Sequence, residues 1–431
     1  MGDQWRLPYL LESNDKNATT MTTTMTMSNY GNSYKEEDDC SSVIVVVSNN
    51  NILQLVWDRI TITSNDNDND NDNDTSYYNT SFFNPLQQCV LLCSCVSLFT
   101  FLISTITKNY SQVDKLWSML PWMYTWILSI ASFDTTFRLS RTFIMSCVAT
   151  IWGVRLTYNF NRRGGYNWPK LWTGEEDYRW KIIQQGELLP ILSNKVVWNI
   201  FNLTFISLYQ NILLLWIVTP SMIAYVVEEN TTTSTSTCPN STTTATSLNV
   251  FDYAATILCL TCIVIETIAD NQQYHFQTTK YKLLPKDKKE DLTGDYKDGF
   301  NTSGLFSICR KPNYAAEQLL WMSYYLYSVA ALHDGNIKEQ ERDGSSSSFF
   351  STFSFLFNWS ISGCIMLCLL FQGSGWFTEK ITLSKYPNYK EYMKRTPLYV
   401  PNLLEIYKIL RTATSTITAT STNKNKKTKD E

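Results

Sequence analysis

Residues 86–107 read LQQCVLLCSCVSLFTFLISTIT, twenty-two positions without one charged side chain. A helix of about 20 apolar residues crosses the hydrocarbon core of a bilayer, where no water is present to satisfy a backbone left open. The pattern recurs. Further apolar stretches lie at about 116–133, 140–160, 196–227, 250–269, 315–332 and 349–371. Together they predict an all-α fold, a polytopic membrane helix bundle of about seven spans, with six to eight as the range. The fourth stretch is long and contains Pro220, so a bend or an interfacial continuation is expected there.

The mean hydropathy of −0.19 hides these runs by averaging them with polar ends. Residues 1–84 include TTMTTTMTMS and NDNDNDNDND, low-complexity tracts too polar to offset the entropy of ordering. A largely disordered N-terminal tail is expected. Inside it, SSVIVVVSNNNILQLVW is too short and interrupted to span, and reads as a strand or an interfacial segment. No basic n-region and apolar h-region follow Met1, so no cleavable signal peptide is expected. The domain expectation is therefore a tail over 1–84, a membrane domain over 86–405 and a polar basic tail over 406–431. The near balance of 36 Lys+Arg against 39 Asp+Glu argues against a general nucleic-acid binder. Cys259 and Cys262 form a CxxC inside an apolar run, which reads as packing, and two separated histidines give no reason to expect a metal.

Positive charge is uneven along the chain. Segments 107–116, 161–195, 278–312 and 380–431 hold 27 Lys+Arg, against 6 in the N-terminal tail, 229–249 and 333–350. That bias predicts a cytosolic C-terminus. Asn230 and Asn240 begin glycosylation tripeptides in the segment expected to be lumenal, and Asn17 and Asn79 offer two more in the tail. An endoplasmic reticulum membrane fits this pattern.

The polar stretches of unusual composition share the cytosolic side. They are RLTYNFNRRGGYNWPKLWTGEEDYRW (155–180), ETIADNQQYHFQ (266–277) and TEKITLSKYPNYKEYMKRTPLYVP (378–401). Glu266 and Asp270 are four apart and share a helix face, which Gln273 and Gln277 continue. Carboxylates and amides so arranged suit a ribose, an amide or a nicotinamide carboxamide. Arg310 and Lys311 stand just ahead of Pro312, Asn313 and Tyr314, where a helix N-terminus and fixed positive charge favour a phosphate. Glu317 and Trp321 lie on one side of the following turns. Neither GxGxxG nor GxxxxGK[ST] is present, so a nucleotide would bind between helix ends.

GLFSICRKPNYAAEQLLW, residues 304–321, resembles the Gly-Leu-(Phe/Trp)-x-x-x-Arg-His-Pro-Asn-Tyr-x-x-Glu-x-x-x-Trp pattern of the steroid 5-alpha-reductase C-terminal domain superfamily. The 155–180 and 266–276 stretches resemble its branch called domain of unknown function 1295, over residues 86–405 in all. The resemblance implies a membrane helix bundle and NADPH entering from the cytosol, with NADH as the alternative cofactor. It implies reduction of a carbon–carbon double bond in a lipid, sterol or enone substrate. By motif, Arg310 would meet a cofactor phosphate, with Asn313 and Glu317 near the nicotinamide or ribose and Tyr314 among the cofactor contacts. Glu266, Asp270 and Gln273 match polar cofactor contacts, and Glu379 and Tyr386 follow in the C-terminal element. Tyr166, Tyr178 and Tyr314 are the candidate proton donors. The chain departs from the pattern at Lys311, at Ala315–Ala316 and at Tyr274–His275–Phe276. Two other readings remain: an S-adenosylmethionine-dependent membrane methyltransferase, since such enzymes share an Arg-His-Pro-x-Tyr element, or a non-catalytic lipid-binding membrane protein. The partners expected are a lipid or sterol-like small molecule and the bilayer, with no nucleic acid and no metal.

Overall fold

A computed structural model describes residues 51–61, 84–132, 140–167, 169–187, 189–237, 248–283, 292–343 and 356–402, together with 407 and 411. The two low-complexity tracts, Asn17, Asn79, Asn240 and the end of the basic tail lie outside the described residues. Among those described, every regular element is helical.

The first helix falls in the segment expected to be tail. α1 (Ile52–Thr61) is amphipathic and buries Ile52 and Val56 in the main core. The ordered domain therefore begins before residue 84, because this short segment has an apolar face to bury. At about 1.5 Å per residue it is far too short to cross a bilayer. α2 (Pro85–Thr107) starts sharply at a capping box: the Asn84 side chain accepts the Gln87 N–H at 3.0 Å, and the Gln87 side chain accepts the Asn84 N–H at 3.2 Å. Pro85 occupies the first turn, where its missing N–H costs nothing.

The chain then runs back and forth between two ends. Short α3 (Gln112–Trp117) leads into α4 (Leu120–Ala131), and α5 (Arg141–Arg162) returns. A surface excursion follows, with α6 (Tyr178–Gln184) capped by Asp177, whose side chain accepts the Arg179 N–H. The next passage is composite: α7 (Lys195–Phe201), a π-helical segment (Asn202–Tyr209), α8 (Gln210–Trp216) and α9 (Thr219–Thr237). It bends by 42° at the break before α9, whose first turn holds Pro220, as the sequence suggested. α10 (Val250–Leu283) and α12 (Pro312–Asp343) form the most extensive helix pair, with α11 (Asp295–Asp298) between them. α13 (Ile361–Lys385) and α14 (Tyr389–Arg395) complete the fold.

Hydrogen bonds mark the two ends. At one, Arg141 makes two bonds of 2.7 and 2.9 Å to Asp252, Thr142 donates to Glu228, and Asn249 donates to the Ala330 carbonyl at 2.8 Å. At the other end, the segment after α2 meets that after α5, α5 meets α10, and residues 305–310 ahead of α12 meet α10 and the last turns of α13. The three polar stretches singled out in the sequence thus do share one end of the bundle.

By length and composition, α2, α10 and α13 qualify as membrane spans, and the bent passage makes a fourth. The chain is a membrane protein on that ground. The other expected spans differ for physical reasons. α4 has only 12 helical residues, and α5 and α12 carry buried charged groups that lower their hydropathy. Several limits also move. α9 continues to Thr237, so Asn230 lies on a helix and donates to the Val226 carbonyl at 2.9 Å. α13 begins at Ile361, the expected start at 349–355 lying outside the described residues, and its last turns carry Glu379 and Lys385.

One contact between passages is unusually close. A Cβ on Gly363 would lie 2.4 Å from the Trp216 carbonyl oxygen, a backbone atom that cannot swing aside. Gly363→Ala is expected to destabilise the fold by about 1–3 kcal/mol through overpacking. Thermal unfolding in detergent checks this; an unchanged midpoint would mean α8 and α13 are not this closely packed.

Candidate functional site

Three carboxylates converge on one guanidinium at the polar end of the bundle. Arg155 of α5 donates to Glu266 at 2.6 Å and to Asp270 at 2.8 Å, and the same Nη2 lies 3.6 Å from Glu317. Glu266 and Asp270 do share a face of α10, as their spacing required. Glu317 comes from the second turn of α12, one turn after Asn313. Arg155 is 10% exposed at its side chain and the three carboxylates are each 5% exposed.

The surroundings orient each group. Asp270 also accepts from Asn159 at 2.8 Å, from Asn313 at 3.2 Å and from Arg163 at 3.4 Å. Glu317 accepts from two indoles, Trp152 at 3.0 Å and Trp321 at 2.9 Å, whose rings meet edge to face with centroids 4.9 Å apart. Arg162 places its guanidinium carbon 4.4 Å from the Tyr274 ring centroid and bonds Asn159 and Asn271. Arg163 remains 47% exposed at the rim.

Two buried polar atoms are left over. Arg155 Nε has no acceptor, and Glu266 Oε2 receives no N–H or hydroxyl donor, its polar neighbour being the Glu317 carboxyl group. An unsatisfied buried group costs about 1–3 kcal/mol, and a ligand donor, or a proton shared by the Glu266 and Glu317 carboxyls, would satisfy Glu266 Oε2.

The remaining expected residues form separate groups. Arg310 makes bonds of 2.6 and 2.9 Å to Glu379, and donates to the Met393 carbonyl at 3.0 Å and to the Thr396 carbonyl. Tyr389 donates to Glu379 at 3.0 Å, and burial, joined by the Glu379 charge, pushes its phenol up. Backbone N–H groups of Arg310 and Lys311 donate to the Pro397 and Leu398 carbonyls, and Asn402 donates back to Ile308. This clip fastens residues 396–402 alongside 308–311. Tyr386 lies apart, taking a 2.7 Å bond from Lys280, which also donates to the Gly299 carbonyl. Gln273 is half-buried, and its neighbour Gln272 is the amide engaged, accepting the Leu305 N–H at 3.0 Å.

Asn109, Tyr110 and Gln112, after α2, bind the 172–176 excursion through Gly174, Glu176 and Trp172. Among the described residues no group of three His, Cys, Asp or Glu side chains is disposed to hold a metal ion. Arg155, Asn159 and Trp152 were not singled out from sequence. The signal for Arg155 was an arginine inside a predicted span, which must have a partner.

The profile of the family described as "Protein of unknown function (DUF1295)" matches residues 100–337, which contain every member of the carboxylate array. An uncharacterized protein of Schizosaccharomyces pombe is 31% identical over 332 residues, covering 76% of this chain and 82% of that protein. The chain belongs to the DUF1295 family. No solved structure matches it. Within the DUF1295 region lie Arg155, Glu266, Asp270, Asn313 and Glu317; Glu379 and its clip partners from α14 lie beyond it.

Proposed function

We propose that this DUF1295 protein is a membrane-embedded reductase that uses NADPH, or NADH, to reduce a carbon–carbon double bond in a lipid, sterol or enone substrate. The observation that carries the reading is the pair of unmatched atoms in the array. A carboxamide offers an acceptor oxygen for Arg155 Nε–H and an N–H donor for Glu266 Oε2, which is the pair the array lacks. Asp270, Glu317 and Asn313 are suited to ribose hydroxyls, while Arg163 at the rim offers charge to a phosphate. Bound there, the dinucleotide would supply the hydride. The protein's part is to hold the carboxamide against the array, to exclude water with the Trp152 and Trp321 indoles, and to admit an apolar substrate from the bilayer.

In this reading the polar end faces the cytosol, where the dinucleotide is dissolved, in an endoplasmic reticulum membrane. Arg310 enters as a phosphate contact only if it exchanges Glu379 for the ligand; in the structure it serves the clip.

Thermal shift of the detergent-purified chain tests the reading. NADPH at 100 times its dissociation constant is expected to stabilise the fold by about 2.7 kcal/mol. The shift should disappear in Glu266→Gln, which replaces an acceptor oxygen of the array by an amide NH2. A shift with S-adenosylmethionine alone would replace the reductase by a methyltransferase. No shift with NADPH, NADH or S-adenosylmethionine would favour a non-catalytic lipid-binding protein.

A further inference from the structure

The three phenols expected as proton donors have different surroundings. Tyr166 donates to the Lys115 carbonyl at 2.6 Å. Tyr178 is 50% exposed, with Lys385 Nζ 5.5 Å from its ring. Tyr314 packs its ring edge to face on Phe371 of α13, with centroids 4.9 Å apart. Just past Phe371, inside this membrane span, the chain reads Gln372-Gly373-Ser374-Gly375.

Gln372 lies about 16 Å along α13 from Ile361, midway through about 30 Å of hydrocarbon. It is exposed. The amides midway along the bent passage, Asn202, Gln210 and Asn211, are instead buried. Gln372 donates one N–H to Gln318 of α12 at 3.3 Å, and Gln318 in turn donates to the Tyr314 carbonyl at 2.9 Å. The second N–H and the Oε1 acceptor of Gln372 meet no partner among the described residues. Lipid tails offer none either.

Gly373 adds an independent observation. Glycine weakens a helix interior relative to alanine, so a span gains from it where a Cβ has no room. That holds for Gly363 against the Trp216 carbonyl and for Gly375 against the Tyr399 hydroxyl. At Gly373 nothing among the described residues lies within 4 Å of a Cβ. Its missing side chain serves no contact inside the chain, but it lets another backbone approach the outer face. The flanking residues of that face, Ile365, Leu369 and Trp376, are apolar and exposed. With Gln372 they follow a four–three–four spacing, the seam of a left-handed helix pair. Lys380, toward the polar end, keeps its ammonium 5.7 Å from the Trp376 ring centroid.

We propose that this face of α13 is the interface of a homodimer, with the Gln372 amides of two copies bonded to one another at the centre of the bilayer. The proposal does not depend on the reductase reading. Copies inserted with one topology pack side by side about a two-fold axis normal to the membrane, so residues on the seam meet their own counterparts at equal depth. Charge complementarity then favours an amide. A carboxylate or an ammonium would repel its copy, whereas each amide presents a positive N–H and a negative oxygen. Two N–H···O bonds close the pair with the groups that Gln318 leaves over, and Gly373 lets the backbones come close enough to form them.

The test is the stoichiometry of the full chain in phosphatidylcholine vesicles, read by single-molecule photobleaching over a range of protein-to-lipid ratios. The wild type is expected to move from one bleaching step to two as its density rises. Gln372→Leu should weaken association about tenfold, the scale of amide bonding between helices in a bilayer. Gly373→Leu keeps the Gln318–Gln372 bond and should weaken association at least as far, by wedging the backbones apart. Leu98→Trp adds bulk on an exposed position of α2 and should leave association unchanged. Because Gln372 and Gly373 are exposed, both α13 variants should match the wild-type unfolding midpoint as monomers in detergent, which separates a lost interface from a lost fold. A wild type that stays monomeric at every ratio overturns the dimer. So does a dimer that survives both α13 substitutions, or one weakened equally by Leu98→Trp. A monomer that holds a hydroxyl-bearing lipid in native mass spectrometry, and loses it in Gln372→Leu, gives the face to a lipid and overturns the dimer as well.

Discussion

Arg155→Met is expected to be the most damaging single change at the candidate site, destabilising the fold by about 3–5 kcal/mol and abolishing any NADPH-induced shift. The reason is the imbalance of the array. One guanidinium serves Glu266 and Asp270 directly and lies 3.6 Å from Glu317, all three nearly buried. Removing it leaves three carboxylates with indole and amide donors but no cation among them, since Arg163 reaches only Asp270 and is half exposed. Their desolvation is then uncompensated. Methionine fills much of the same volume, so the loss measures charge and not packing. Arg155→Lys should recover part of the stability, because one ammonium supplies charge but cannot bridge two carboxylates in the planar geometry of Arg155. Chemical and thermal unfolding in detergent, with and without NADPH, decide the matter. Wild-type stability in Arg155→Met would show that the carboxylates do not depend on this ion pair.

How far the array could be read from sequence depends on how far apart its members lie in the chain. Glu266 and Asp270 were legible because helical spacing alone puts them on one face. Glu317 and Asn313 were legible by motif. Arg155 was not, although it stood in a quoted stretch: its partner Glu266 is 111 positions away, and an apolar run shows only that a charge inside it needs a partner. The same limit applies to the span count. Back-and-forth topology follows from the order of apolar runs, but where each helix ends depends on caps and tertiary contacts. α10 runs on past its apolar core because Glu266, Asp270 and Gln272 there bond Arg155, Asn313 and the Leu305 N–H. The short helix α1 was missed for a related reason. Ten residues with an apolar face look like tail until α2 and α9 offer something to pack against.

Arg310 is the residue whose motif and surroundings pull in different directions, and Arg310→Ala separates them. The structure spends its donors on Glu379 and on two carbonyls of the segment after α13. Removing it leaves Glu379 with Tyr389 as its remaining bonded partner and frees the Met393 and Thr396 carbonyls. Breaking a buried pair this way costs about 3–5 kcal/mol, here concentrated in residues 389–402. The expected result is therefore visible without any ligand: faster hydrogen exchange and new proteolytic cleavage between α14 and residue 402, with a lower unfolding midpoint. Glu379→Gln should reproduce much of it, because the amide still accepts one bond but no longer balances the guanidinium charge. A phosphate contact predicts a different result. Its loss would leave the unliganded chain as stable as before and weaken NADPH binding alone. If Arg310→Ala keeps its midpoint and protection and loses only the NADPH shift, the clip is incidental and the motif reading holds. If both fall together, Arg310 positions residues 389–402, and the phosphate charge must come from the rim, where Arg163 is exposed.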